Sequence, residues 1–226
     1  MNEYKTSSIL HFDFQSGVLF DWTNFRFPGK LHSWLGNSES MFGKPNSSNT
    51  FYGYVFSGTV EIKTNSVYYR LVEEQYFCLN GSFSIKGGSG IIIECMNYKG
   101  MNVVGGPIEE WGRLKYIDGC TDTLLISPPK YGDPCLNVLY FPENINQTAH
   151  THPSLRAGII AKGTGECITP DGVLPLSPGK IFIIPENKLH NFKTQDSEMV
   201  VIAFHPDSDF GPEDHNHPMI NRTIIV

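Results

Sequence analysis

The strongest constraint on the fold is a series of apolar runs, each five to seven residues long and broken by turn-forming residues. They are Phe51–Phe56, Thr59–Lys63, Tyr68–Val72, Gln75–Leu79, Gly90–Cys95, Thr123–Ser127, Leu136–Phe141, Leu155–Ala161, Lys180–Ile184 and Met199–His205. Between them stand Ser57-Gly58, Gly87-Gly88, Gly105-Gly106-Pro107, Ser127-Pro128-Pro129, Pro170-Asp171-Gly172 and Ser177-Pro178-Gly179. Runs this short suit strands and are too short for ordinary helices. The expectation is an all-β sandwich or barrel. Only Ile108–Leu114 reads as helical, and it is short.

A faint repeat divides the chain. Phe51-Tyr-Gly-Tyr-Val-Phe-Ser-Gly58-Thr-Val-Glu61 matches Arg156-Ala-Gly-Ile-Ile-Ala-Lys-Gly163-Thr-Gly-Glu166 in apolar pattern. At the same offset Glu74–Asn80 falls on Gly179–Pro185. One β unit duplicated gives two domains in tandem, 1–115 and 116–226. The first copy keeps its apolar alternation at Val55, Val60, Ile62, Tyr76 and Cys78, as a structural core would. Its positions Pro45, Ser47 and Ile85 fall opposite His150, His152 and His190 of the second copy.

Charge excludes several classes of function. The 17 Lys and Arg residues are scattered and the net charge is −6, so a nucleic-acid partner is not expected. No apolar stretch is long enough to cross a bilayer, and Met1–Lys5 lacks the character of a signal peptide. The five cysteines are odd in number and form no CxxC pair. That pattern fits a reducing cytoplasm better than a disulfide framework, and it leaves the Asn-x-Ser/Thr triplets at Asn46, Asn146 and Asn221 without meaning. No phosphate-binding glycine loop and no Gly-x-Ser-x-Gly is present.

The chemistry is concentrated in His150-Thr-His152-Pro-Ser-Leu-Arg156-Ala-Gly-Ile-Ile-Ala-Lys-Gly163 and Gly179-Lys-Ile-Phe-Ile-Ile-Pro185-Glu-Asn187-Lys-Leu-His190. Residues two apart on a strand face one side, so His150 and His152 point together, about 7 Å apart. A turn at Pro185 and Asn187 brings His190 in from a neighbouring strand. Neutral imidazoles suit zinc, iron, nickel or copper.

These two segments resemble the paired motifs of the cupin family. The first is His-x-His, three or four residues, Glu, six residues, Gly. The second is Gly, five residues, Pro, x, Gly, two residues, His, three residues, Asn. His150, His152, Gly163, Gly179, Pro185 and His190 fall on pattern, and the resemblance covers residues 136–205 well. Arg156 stands where the family places a glutamate ligand. Asn187 replaces a glycine, which Asn tolerates because it accepts positive φ. Thr194 replaces the late asparagine.

The resemblance implies two cupin-type (jelly-roll) β-barrels in tandem, the first without metal ligands. It implies one divalent metal per chain on His150, His152 and His190, with iron(II) first and zinc, nickel or manganese as alternatives. It also implies an oxygenase of small thiols, amino acids or phenolic acids. Metal-dependent isomerases, epimerases and lyases, and binding modules without turnover, belong to the same superfamily and stay open. A homodimer is expected by the same analogy.

Arg156 shares the parity of His150 and His152 and should face the interior. A buried guanidinium needs acceptors. They are supplied either by an interior carboxylate, as a structural ion pair, or by a small anionic substrate held on its two-nitrogen fork. Gln147, Ser154 and Phe192 are further candidate substrate-binding residues, with Phe182 and Tyr140 as other wall residues. His205 closes the last strand as a candidate acid–base group or a structural histidine. His215 and His217 form a second His-x-His, read as a solvated loop or lid.

Overall fold

The computed structural model describes residues 8–36, 38–215, 219 and 223–226. The described residues are all-β, with one short 3-10 turn among them at Ile117–Gly119. The helix expected at 108–114 does not form. Glu109 and Arg113 pair across an i,i+4 spacing, yet Gly112 interrupts the stretch and Leu114–Lys115 joins a sheet as its edge strand.

Four antiparallel sheets account for the strands among the described residues, and none of them closes on itself into a barrel. A six-stranded sheet runs in the order Val103–Gly105, Tyr76–Asn80, Thr50–Ser57, Ser89–Cys95, Gly29–Leu35, Gly17–Asp21. A seven-stranded sheet runs Leu10–Phe12, Ile181–Ile184, Arg156–Gly163, Met199–His205, Cys135–Phe141, Thr121–Ile126, Leu114–Lys115. Both of its edge strands, Leu10–Phe12 and Leu114–Lys115, therefore come from inside the unit expected to end at 115. A four-stranded sheet holds Ser40–Phe42, Phe83–Lys86, Thr59–Thr64 and Tyr68–Val72, and a three-stranded one Gly172–Leu176, Gly165–Thr169 and Asn191–Lys193.

Period-two alternation sorts the side chains into three cores. Ile91 and Ile93 of the six-stranded sheet meet Val200, Ile202 and Phe204 of the seven-stranded sheet in a central core. Their neighbours point the opposite way. Ile92 joins Val55, Ile62 and Phe83 under the four-stranded sheet. Val201 and Ala203 join Phe182 and Phe192 under the three-stranded sheet. Both large sheets are thus covered on both faces, which explains why Ser89–Cys95 and Cys135–Phe141 are buried at every position.

The halves share one cross-strand device. Gly158 pairs with Phe182 and Gly53 with Phe77. In each pair the ring lies across the glycine: a Cβ on Gly158 would sit 2.7 Å from the Phe182 ring and 2.1 Å from the Ile202 carbonyl oxygen, and one on Gly53 would sit 2.0 Å from Phe77.

Register corrects one expectation. Ile62 pairs with Ile85, whereas Cys167, its counterpart in the repeat, pairs with Phe192. The constant offset therefore fails by two residues beyond the intervening turn. His190 corresponds to Phe83, not Ile85. Because Phe42 pairs with Phe83 as His150 pairs with His190, His150 corresponds to Phe42, not Pro45. Phe42 and Phe83 stack with ring centroids 5.4 Å apart, and both are buried.

Candidate metal centre

His150 and His190 face one another as an antiparallel bridge, each amide donating to the other's carbonyl at 2.9 and 3.0 Å. The turn before His190 is set by Asn187, at φ 58°, whose amide donates to the His152 carbonyl at 2.8 Å. Backbone bonds thus tie His150 to His190, and His152 to the turn that precedes His190. Their ring centroids are 4.6 Å apart for His150–His190 and 5.1 Å for each pair with His152. One ligand atom from each lies within 4.8 Å of the others. Among the described residues this is the one such cluster.

The tautomers suit ligation. Nδ1 of His150 meets the Thr148 carbonyl at 2.8 Å, and Nδ1 of His190 meets the Lys188 carbonyl at 2.8 Å. A carbonyl only accepts, so each Nδ1 carries the proton and each Nε2 presents a lone pair. His190 Nε2 is buried and has no partner among the described residues. An orphaned buried nitrogen is costly, and a divalent cation would satisfy it. Burial, and then the positive charge of Arg156, hold His152 neutral, with its pKa down at about 3. Burial likewise lowers His190 to about 4. The residues present therefore fit a metal bound through neutral imidazoles.

Arg156 opens the strand Arg156–Gly163 and faces the same interior. It is 8% exposed. Its Nη1 makes every contact: to the Ser154 hydroxyl at 2.5 Å, the Ser154 carbonyl at 3.2 Å, the Leu155 carbonyl at 3.1 Å and Asp207 at 3.8 Å. The Ser154 hydroxyl in turn donates to Asp207. Nε is buried without a partner, and Nη2 makes no hydrogen bond among the described residues. One side of the guanidinium is therefore anchored, while the Nε–Nη2 side is unpaired.

Two cavities meet at this arginine. A small one of about 50 Å³ lies against the three histidines, walled by Phe182, Phe192, Tyr116 and Asp122. A larger one of about 270 Å³ opens beyond, walled by Leu124, Pro128, Asp207, Asp209 and Phe210. Arg156 and His205 line both.

The remaining sequence candidates separate. Phe192 and Phe182 wall the small cavity. His205 is half-buried, 6.5 Å from His152 between ring centroids, and burial holds it well below its ordinary pKa. Gln147 borders the small cavity, but its side chain is engaged, accepting from the Phe192 amide at 3.3 Å and donating to the Cys120 sulfur at 3.6 Å. Ser154 lies behind Arg156 and lines neither cavity. Tyr140 points the other way, into the central core, and donates to the Glu109 carbonyl at 2.5 Å. Its parity is opposite to that of Leu139 and Phe141. His215 is exposed and paired with Glu213. His217 lies outside the described residues.

Sequence reading missed Asp122, Tyr116 and Asp207. Asp122 is desolvated, which raises its carboxyl pKa, against the opposing hydrogen bond from Asn137 at 2.8 Å. Its signal was the alternation Asp122, Leu124 in a strand that begins at Thr121 rather than Thr123. Asp207 follows the last strand and had no sequence signal.

No protein-family model and no curated protein sequence matches the chain. Solved structures do. A cupin 2 conserved barrel domain protein from Leptotrichia buccalis is 14% identical, with TM-score 0.59, covering 88% of this chain and 89% of that one. Protein Ylba from E. coli is 15% identical, with TM-score 0.63, covering 92% and 94%. Salicylate 1,2-dioxygenase from Pseudaminobacter salicylatoxidans is 10% identical, with TM-score 0.60, covering 80% and 71%. A variant of that dioxygenase in complex with gentisate is similar to the same degree. At these identities the likeness is one of fold: the chain has the fold of cupin-domain proteins.

Proposed function

We propose, with the cupin fold as the premise, that this chain is a metal-dependent oxygenase acting on a small anionic substrate, with iron(II) on His150, His152 and His190. The observation that carries the reading is the pairing of three converging imidazoles with a buried arginine whose Nε–Nη2 side is unpaired. When bound, iron(II) supplies Lewis acidity and redox chemistry toward dioxygen. The chain supplies the rest. His150 and His190 are fixed in the ligating tautomer by the Thr148 and Lys188 carbonyls. Arg156 accepts a carboxylate on its open side and is held there by Ser154 and Asp207. Phe182 and Phe192 keep water from the small cavity. The dioxygenase neighbours, three of them with gentisate, favour this reading by analogy of fold.

The reading includes two tandem cupin units, 1–115 and 116–226, with the first serving as scaffold. Its support is the shared Gly–Phe device and the stacked Phe42 and Phe83 standing where His150 and His190 stand. A cytoplasmic home and a homodimer belong to the same proposal. All five cysteines are buried and free, and no helix among the described residues is long and apolar enough to cross a membrane.

Asp122 favours a second reading. A desolvated carboxyl in the wall of the small cavity, beside Tyr116, can move protons for an isomerase or lyase. Oxygen-electrode traces against a panel of small carboxylic acids and thiols separate the two. Oxygen uptake that follows metal content and is lost in His190→Ala supports the oxygenase. Turnover of a substrate without oxygen uptake supports the second reading, and stabilisation by a ligand without any turnover indicates a binding module.

A further inference from the structure

We propose that the chain carries a second ligand site, away from the three histidines, built for a small methylated ammonium ion. The site is a cavity of about 170 Å³ at one end of the central core, where the strands Ser89–Cys95 and Met199–His205 finish. Trp22, Cys95 and Phe204 of that core form part of its wall, and Phe27, Tyr98 and Asp133 join them. Strand alternation keeps it apart from the candidate metal centre. Phe204 and Pro206 line this cavity, whereas His205 and Asp207 line the larger cavity beside Arg156.

The chemistry of the wall selects the ligand. Four aromatic side chains line it, those of Trp22, Phe27, Tyr98 and Phe204. Ring faces carry negative charge density and attract cations, methylated ammonium ions above all. Phe27 already holds one cation in this way: the exposed Arg26 guanidinium, which does not line the cavity, lies 4.9 Å from its ring centroid. Among the described residues no lysine, arginine or histidine lines the cavity. Its charged residues are Glu94 and Asp133. The Glu94 carboxylate is taken up by His32 at 3.2 Å and Asn49 at 2.6 Å. Asp133 is fixed through its backbone, whose amide donates to the Lys130 carbonyl at 3.0 Å and whose carbonyl accepts from Ser208 at 2.8 Å. Its carboxylate makes no hydrogen bond among the described residues. The Tyr98 hydroxyl is also buried without a partner, and burial, then the charge of Asp133, push its pKa up. A primary ammonium brings three N–H donors and would find one free carboxylate and one hydroxyl. A methylated ammonium needs no such acceptors. It offers its methyl groups to the rings and its charge to Asp133.

Calorimetric titration of the purified protein with choline and with 3,3-dimethylbutan-1-ol tests this. The two probes share one shape and differ in the charged nitrogen that the alcohol replaces by carbon. Choline should bind at one per chain, about tenfold tighter than the alcohol, the gain expected of desolvated cation–π contacts. Phe27→Leu and Asp133→Asn should each reduce that preference, and thermal unfolding checks that both variants fold. Choline binding should be unchanged by a chelator, which separates this cavity from the histidine centre. The proposal fails if choline does not bind the wild type, or if the alcohol binds as tightly. It also fails if chelation abolishes choline binding, or if both folded variants keep the full preference for choline.

Discussion

Arg156 is held on one side and unpaired on the other, and that asymmetry sets its expected mutational behaviour. Arg156→Lys keeps the charge but loses the planar two-nitrogen edge. It should weaken substrate binding about tenfold, and Arg156→Gln up to about a hundredfold, as befits a charge-assisted contact of about 1.5–3 kcal/mol. Metal content should survive both changes, because no ligand is removed. Loss of metal or of folding in Arg156→Gln, with an unchanged Michaelis constant for residual activity, would make Asp207 the arginine's real purpose. Asp207→Asn offers a complementary check. It removes the negative charge that Ser154 and Nη1 share, so the guanidinium keeps its hydrogen bonds to Ser154 and Leu155 but loses its ion pair. Substrate affinity should fall while the metal-to-protein ratio, read by elemental analysis, stays constant.

Among the elements, the Gly158–Phe182 crossing is the least forgiving. A methyl group on Gly158 would lie 2.1 Å from the Ile202 carbonyl oxygen, which is backbone and cannot swing away. Gly158→Ala should therefore destabilise the protein by about 1–3 kcal/mol, the usual range for overpacking, measured by denaturant unfolding. Gly53→Ala should behave alike. The strands that form from the apolar runs, those of the two crossings among them, were legible in the sequence. Tyr68–Val72 and Met199–His205 form over the expected residues, and their neighbours start or end within about two residues of expectation. The strands of the first forty-five residues were not legible. Leu10–Phe12 and Ser40–Phe42 are too short to show a period. Gly29–Leu35 hides its alternation, because its inward positions include polar groups: Ser33 bonds to the Gln15 carbonyl, and His32 to Glu94 at 3.2 Å. The three histidines of the candidate site were visible because residue type and spacing encode them. Asp207 and Asp122 were not, because their roles arise from contacts between distant segments.

At the scale of the whole molecule, two large sheets packed through one core support the two cavities that meet at Arg156, on the far side of the seven-stranded sheet. The buried histidines there make the metal-free protein sensitive to acid. Folding lowers His152 to about 3 and His190 to about 4, both below the ordinary value near 6.5. The unfolded chain therefore binds more protons between these limits. The stability that the two groups contribute is complete above about pH 6.5 and is lost as pH falls toward 4 and then 3. Chelator-treated protein should show its midpoint of thermal unfolding falling through that window, and the fall should be shallower in His190→Gln. An identical profile in the variant would mean that His190 is not held neutral by the fold. The most direct test of the three-histidine centre is the metal-to-chain ratio of protein purified without added metal, set beside that of His190→Ala. The expected result is a ratio near one in the wild type, falling toward zero in the variant. A ratio near two, or full occupancy in His190→Ala, would contradict it.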